Sequence, residues 1–211
     1  MQLILIRHGE PETTESHGER AEPALTPRGH WQAQRMAAWL AVEPIAPIIT
    51  RSRLRAQPTA VPLQESLGLS HEVIADFDEI DRRATIYAPF TVLRDRFPHV
   101  LEAVTQGDWE SIGWDSPQVF RQRVVTAYED LVARRPGERV AVACHGGVIG
   151  VIATHLLGLE DPWVFANPPF ASFSRLIVHS DRPAQIVSLN ETGHYDAHRE
   201  RVVGPDGGTS E

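Results

Sequence analysis

The sequence predicts an α/β fold, a three-layer α/β/α sandwich around a mostly parallel central sheet. Three observations carry that expectation. "QLILIR" (2–7) and "RVAVAC" (139–144) are short, continuously apolar runs, as expected of strands covered on both faces. Stretches with helix-start signals separate the strand-like runs, and strands alternating with helices imply a parallel sheet with helices on both faces. Both runs also end in a histidine followed by glycine, and ligands of such sheets bind outside the carboxyl ends of the strands.

Taken in order, the first strand gives way to a polar segment, Pro11 to Leu25, that has neither a helical nor a strand period. In "LTPRGHWQAQRMAAWL", Thr26 caps a helix with Pro27 at its first position, and Trp31, Ala37, Ala38 and Leu40 mark its packed face. "APIIT" reads as a second strand. "RSRLRAQPTAVPLQESLGL" reads as a helix that Pro58 and Pro62 interrupt or kink. "HEVIADFDEID" gives a third short strand and an acidic loop. From Phe90 to about Arg135 helix predominates, and Ser116 before Pro117 repeats the cap signal. After the "RVAVAC" strand, "VIGVIATHLLGL" continues as a helix. "SFSRLIVHS" and "AQIVSLN" pair as a hairpin across "DRPA".

The chain has 211 residues, 42% hydrophobic and 23% charged, which suits one domain over residues 1–200 with a flexible tail at 201–211. Its formal net charge is -8 with no long basic run, which argues against nucleic acid and membrane as partners. Cys144 is the sole cysteine and no signal-peptide pattern opens the chain, so a cytoplasmic protein is expected. Either a monomer or a homodimer is expected.

The motifs gain specificity from their order. Arg7, His8 and Gly9 follow the first strand; "LTPRGHWQA" opens a helix; "TRSRLRAQPTA" follows the second strand, "DEID" the third, and "CHGG" a later one. This ordered set resembles the histidine phosphatase superfamily, also called phosphoglycerate mutase-like, from the first strand to "SLNETGHY". The resemblance implies that His8 is a nucleophile and that Arg7, Arg55 and His145 bind phosphate. It also implies that Glu79 is the proton donor and that no metal or cofactor is needed. Gly9 and Gly146 complete the expected substrate-binding set.

Elementary chemistry leads to the same residues. Hydrolysis of a phosphate monoester is extremely slow unless fixed positive groups stabilise the transferring phosphoryl oxygens. Arg7, Arg55 and a protonated His145 supply such charge, each guanidinium bonding two oxygens at once. A neutral His8 then attacks phosphorus and forms a phosphohistidine, and Gly9 lets backbone amides approach the phosphate. One carboxyl group serves as acid and then base; Asp78 and Asp81 stand beside Glu79 as alternatives. The expected activity is a metal-independent phosphomonoester hydrolase acting on a small phosphorylated metabolite. A phosphoglycerate mutase and a non-catalytic phosphate-binding or scaffolding protein are the other readings. The loop "EPETTESHGERAEPA" lacks the asparagines and glycine-tryptophan pair typical of the cofactor-dependent mutases.

Several residues have plainer readings. Cys144 belongs to an apolar strand and is expected in the core rather than as a thiol nucleophile. His194 and His198, four apart, lack a third ligand for a metal. Trp31 and Trp39 are expected to face the core, whereas Trp109 and Trp114 in "GDWESIGWDS" suit a pocket lid or core equally. Arg51 and Arg53 stand close enough to Arg55 to share its electrostatic role.

Overall fold

A computed structural model describes residues 1–50, 55–161, 164–165 and 167–195, with Phe90 described by its backbone alone. In chain order, β1 (Gln2–Arg7) leads to the two-residue β2 (Thr14–Glu15), α1 (Pro27–Leu40), β3 (Ile48–Thr50), α2 (Ala56–Leu67), β4 (His71–Val73) and β5 (Ile86–Tyr87). There follow α3 (Phe90–Arg96), α4 (Pro98–Gln106), α5 (Pro117–Arg134), β6 (Arg139–Cys144), α6 (Gly146–Leu156), β7 (Phe173–Ile177) and β8 (Gln185–Glu191).

The main sheet has the order β4-β3-β6-β1-β7-β8. Its first four strands are parallel, and β7 and β8 add an antiparallel edge, the expected hairpin. Side-chain alternation sorts the core into two layers. Ile4, Ile6, Ala141 and Ala143 face α1 and α2, packing with Met36, Leu40 and Leu63. Leu3, Leu5, Val140, Val142 and Cys144 face α5 and α6, packing with Phe120, Val124, Val148 and Ile152. A third cluster, Leu93, Phe97 and Val100, lies on α3 and α4 and the segment joining them.

Both expected caps form: Thr26 Oγ1 accepts from the Gly29 amide and Ser116 Oγ from the Val119 amide. The start of α1 also packs against the backbone that leaves β1. A Cβ on Gly29 would overlap the Glu10 carbonyl oxygen, and one on Gly9 would overlap the Gly29 carbonyl.

Three expectations change. The buried face of α1 is Gly29, Gln32, Ala33, Met36, Ala37 and Leu40, a regular i, i+3, i+4 stripe. Ala38 and Trp39 fall outside that stripe and are exposed, and Trp31 is half-buried against Tyr195. Next, α2 runs through both prolines. Pro58 sits in its first turn, where an N–H has no intrahelical acceptor, and Pro62 removes a single donor further on. The segment Pro11–Leu25 is not wholly aperiodic either: β2 within it pairs antiparallel with β5. His198, Arg51, Arg53 and the expected tail 201–211 lie outside the described residues.

His194 is buried between Phe173 and Tyr195, and Arg35 donates to its carbonyl. Burial, reinforced by the Arg35 charge, pulls its imidazole down to about 4. A depressed basic group binds fewer protons folded than unfolded, so stability falls as pH drops from about 6.5 through about 4. Relative to His194→Phe, the native protein should lose on the order of 3 kcal/mol across that window. Urea melts of the two proteins at several pH values measure this, and parallel curves would refute it.

Candidate active site

The site begins with one strand pairing. Arg7 of β1 lies in register with Cys144 of β6, and the His8 amide donates to the Cys144 carbonyl at 3.0 Å. The next residue on each strand is a histidine, and the two imidazoles meet edge to face with ring centroids 4.9 Å apart. Nδ1 of His8 lies 2.8 Å from the Gly9 carbonyl oxygen. A carbonyl only accepts, so Nδ1 carries a proton, and in the neutral form of the ring the lone pair is then on Nε2.

Both arginines are fixed from several directions. Arg7 donates to the Pro168 carbonyl, and its guanidinium lies 4.0 Å above the Phe170 ring. Burial pulls its pKa below the usual range, opposed by Tyr87 and Glu79. Arg55 immediately precedes α2 and stacks 4.1 Å over Tyr87 of β5. It also donates to Asp81 Oδ1 at 3.2 Å and, through Nε, to His145 Nδ1 at 3.5 Å. As the acceptor of that bond, His145 Nδ1 uses its lone pair, an arrangement that goes with a ring proton on Nε2. Thr59, one turn into α2, accepts from the Gly9 amide at 2.9 Å and donates to the Arg55 carbonyl at 2.7 Å, joining the two motifs.

Glu79 is half-buried where the N-terminus of α6 meets the loop after β4. Its carboxylate accepts from the Gly147 amide and from the Ile80 amide, each at 2.9 Å. Burial first and the nearby Asp81 second push its pKa above the usual range, while both amides and Arg55 pull the other way. Gly147 has no room for a side chain, since a Cβ there would overlap Glu79 Oε1.

The loop that carries Glu79 is gripped by Arg123 of α5. This buried guanidinium donates to the carbonyls of Asp76 (2.7 Å), Asp78 (2.8 Å) and Glu79 (3.3 Å), and to Asp115 Oδ2 at 3.0 Å. Asp115 also pairs with Arg82 and Arg83, so one carboxylate ties the loop to α5.

Arg7, Glu79 and Asp81 open onto a cavity of about 850 Å³. Its polar end adds Glu10 and Asn167; the remainder is mostly apolar and is roofed by residues from β5 to Trp114. Both Trp109 and Trp114 line it, half-buried, with ring centroids 6.3 Å apart.

The structure thus brings His8, His145, Arg7, Arg55 and Glu79 to one edge of the sheet. Gly9 is near them, but its amide is engaged by Thr59 and its close approach is to Gly29. Gly146 lies against the Asn167 side chain. Of the alternative carboxylates, Asp81 pairs with Arg55 and lines the cavity, whereas the buried Asp78 does not line it. Cys144 is buried in the core. Sequence reading missed Thr59, Tyr87, Arg123, Gly147 and Phe170 as parts of the site. Two of these had a signal: Gly147 is in the doubled glycine of "CHGG" and Thr59 is in "TRSRLRAQPTA". Among the described residues, no group of three or more His, Cys, Asp or Glu is placed to hold a metal ion, and no helix is long and apolar enough to cross a membrane.

Comparison with solved structures finds close likenesses of fold. A mycobacterial glucosyl-3-phosphoglycerate phosphatase superposes with a TM-score of 0.70 at 22% identity, covering 90% of this chain and 99% of that one. The α-ribazole phosphatase of Shigella flexneri gives 0.69 at 24%, covering 90% and 96%. YhfR of Bacillus stearothermophilus gives 0.74 at 19%, covering 92% and 98%. No curated protein matches the sequence significantly. At such identities the structural likenesses speak to the fold. The sequence itself matches the histidine phosphatase superfamily (branch 1) over residues 3–192, which takes in both histidine motifs, Arg55 and Glu79, and the chain belongs to that family.

Proposed function

We propose that this protein is a metal-independent phosphomonoester hydrolase that works through a phosphohistidine on His8. The observation that carries the reading is the Nδ1 bond from His8 to the Gly9 carbonyl, which turns the Nε2 lone pair into a nucleophile beside two fixed arginines. Support also comes from family membership and from structural relatives named as phosphatases. The substrate is a small phosphoester, and the single buried cysteine fits a cytoplasmic setting.

In the first step Nε2 attacks phosphorus, the N–P bond forms and the P–O bond to the leaving group breaks. Arg7, Arg55 and the Nε2–H of His145 donate to the phosphoryl oxygens, whose charge they stabilise in place of water. Glu79, which holds its proton more tightly than an exposed carboxyl, gives that proton to the departing alkoxide. In the second step the Glu79 carboxylate takes a proton from water as the water oxygen attacks phosphorus. The N–P bond breaks, inorganic phosphate leaves, and Glu79 is again protonated.

Three outcomes test this reading. With chelator present, the native protein should hydrolyse a phosphate monoester and His8→Ala should lose more than about a thousandfold in kcat. Loss of native activity to the chelator, or its survival in His8→Ala, would refute the mechanism.

Glu79 provides a test of sign. A carboxyl whose folded pKa is raised contributes stability below its unfolded value of about 4.3 and loses it as pH rises through the folded value. The stability of Glu79→Gln relative to the native protein should therefore increase with pH across that window. Urea melts at pH values from about 4.3 upward read this directly, and a pH-independent difference would mean that the Glu79 pKa is not raised by folding.

Arg123 acts as a positioning residue for Glu79. Arg123→Met should lower kcat on alkyl phosphates, whose leaving groups need a proton, by about tenfold to a hundredfold. Aryl phosphates with acidic leaving phenols should change much less. Equal losses on both classes would leave Arg123 with a structural role only.

A further inference from the structure

We propose that the substrate is a phosphate monoester of a bulky, uncharged, apolar or aromatic alcohol, held in the cavity over Glu79. This rests on the phosphatase reading above and extends it from the reaction to the leaving group.

Direction comes first. Glu79 protonates the departing oxygen, so that oxygen lies on the Glu79 side of the phosphoryl group, and whatever it carries continues into the cavity that Glu79 lines. The walls there are Ile86, Leu93, Val104, Trp109, Trp114 and Phe170. The cavity's volume, about 850 Å³, falls in the range that encloses most of a drug-sized ligand, far more than a phosphoryl group with a two-carbon chain requires.

Charge narrows the choice further. Among the described residues lining the cavity the only cationic side chain is Arg7, which the mechanism commits to the phosphoryl group; Glu10, Glu79 and Asp81 are the acidic ones. A second anionic group on the alcohol, such as the carboxylate of phosphoglycerate, would meet no free cation there, would share the cavity with Glu10 and Asp81, and would lose its hydration against indole and aliphatic walls. Many hydroxyls, as on a sugar, would also lose water hydrogen bonds where few replacements exist. An apolar or aromatic group loses neither and gains from burial, and each methylene that fills such a pocket is worth about tenfold or more in specificity.

The test compares esters whose leaving alcohols are similarly acidic, so that chemistry is held constant: 2-naphthylmethyl phosphate and ethyl phosphate, with 3-phosphoglycerate as the charged competitor. The naphthylmethyl ester should have the highest kcat/KM, at least about tenfold above the ethyl ester, and Trp109→Ala should narrow that ratio. Values for the two uncharged esters within twofold, or 3-phosphoglycerate as the best substrate, would overturn the proposal. A binding measurement keeps it separable from the phosphatase reading. 2-Naphthylmethylphosphonate and ethylphosphonate cannot be hydrolysed, and titration calorimetry on the native protein reads their affinities without turnover. If no ester is hydrolysed, the phosphatase reading fails; the cavity assignment then stands only if the naphthyl phosphonate binds at least about tenfold more tightly, and falls if the two bind alike.

Discussion

Parallel pairing of β1 with β6 in register is the constraint on which the site depends. Both strands are apolar on both faces, so a slip of one residue would turn the Ala141 and Ala143 face, which accepts α1 and α2, toward the bulkier layer under α5 and α6. Burial therefore fixes the register, and the register fixes the chemistry. With Arg7 opposite Cys144, the next residues out are His8 and His145, and they leave the sheet together. From there β6 turns directly into α6, whose Gly147 amide is delivered to the Glu79 carboxyl. A slipped pairing would offset the histidines and point the α6 amides away from Glu79.

Around that pairing the protein withdraws two arginines and two carboxylates from water, which is costly unless each is held by several partners. The holding groups differ in kind. Arg7 has a backbone carbonyl and a phenyl face; Arg55 has Asp81, an imidazole and a phenol face. Asp81 does two things at once, since it pairs with Arg55 and also raises the pKa of Glu79. The result is an asymmetry between two carboxyl groups close in sequence: one is paired with a guanidinium, while the other is bonded by backbone amides and has its pKa raised. Environment rather than residue type separates their roles.

What the sequence made legible follows from how local each interaction is. "RHG" and "CHGG" were readable because strand, turn and histidine lie within a few residues, and the caps at Thr26 and Ser116 because the acceptor and donor are three apart. Arg123 was invisible for the opposite reason. Its acceptors are backbone carbonyls 44 to 47 positions away, and carbonyls have no sequence signature. Tyr87 and Phe170 failed similarly, since a ring beneath a guanidinium is defined only once remote segments meet. The misplaced Trp39 shows a further limit. Hydrophobicity pointed it inward, but the face of α1 was set by small residues, Gly29, Ala33 and Ala37, that let the helix pack closely.

The site also divides into a floor and a roof with separate physical origins. Sheet pairing and the two main core layers build the floor, whereas the roof rests on the small cluster of α3 and α4, which shares Trp114 with the core layer under α5 and α6. Substitutions in the roof therefore alter the cavity without disturbing the strand register that holds His8 and His145. Tyr87 is the point where the two meet. Its ring supports Arg55 on one side and lines the cavity, and its strand pairs with β2 in a small sheet of its own. Tyr87 therefore joins what fills the cavity to the ring face that holds the Arg55 guanidinium.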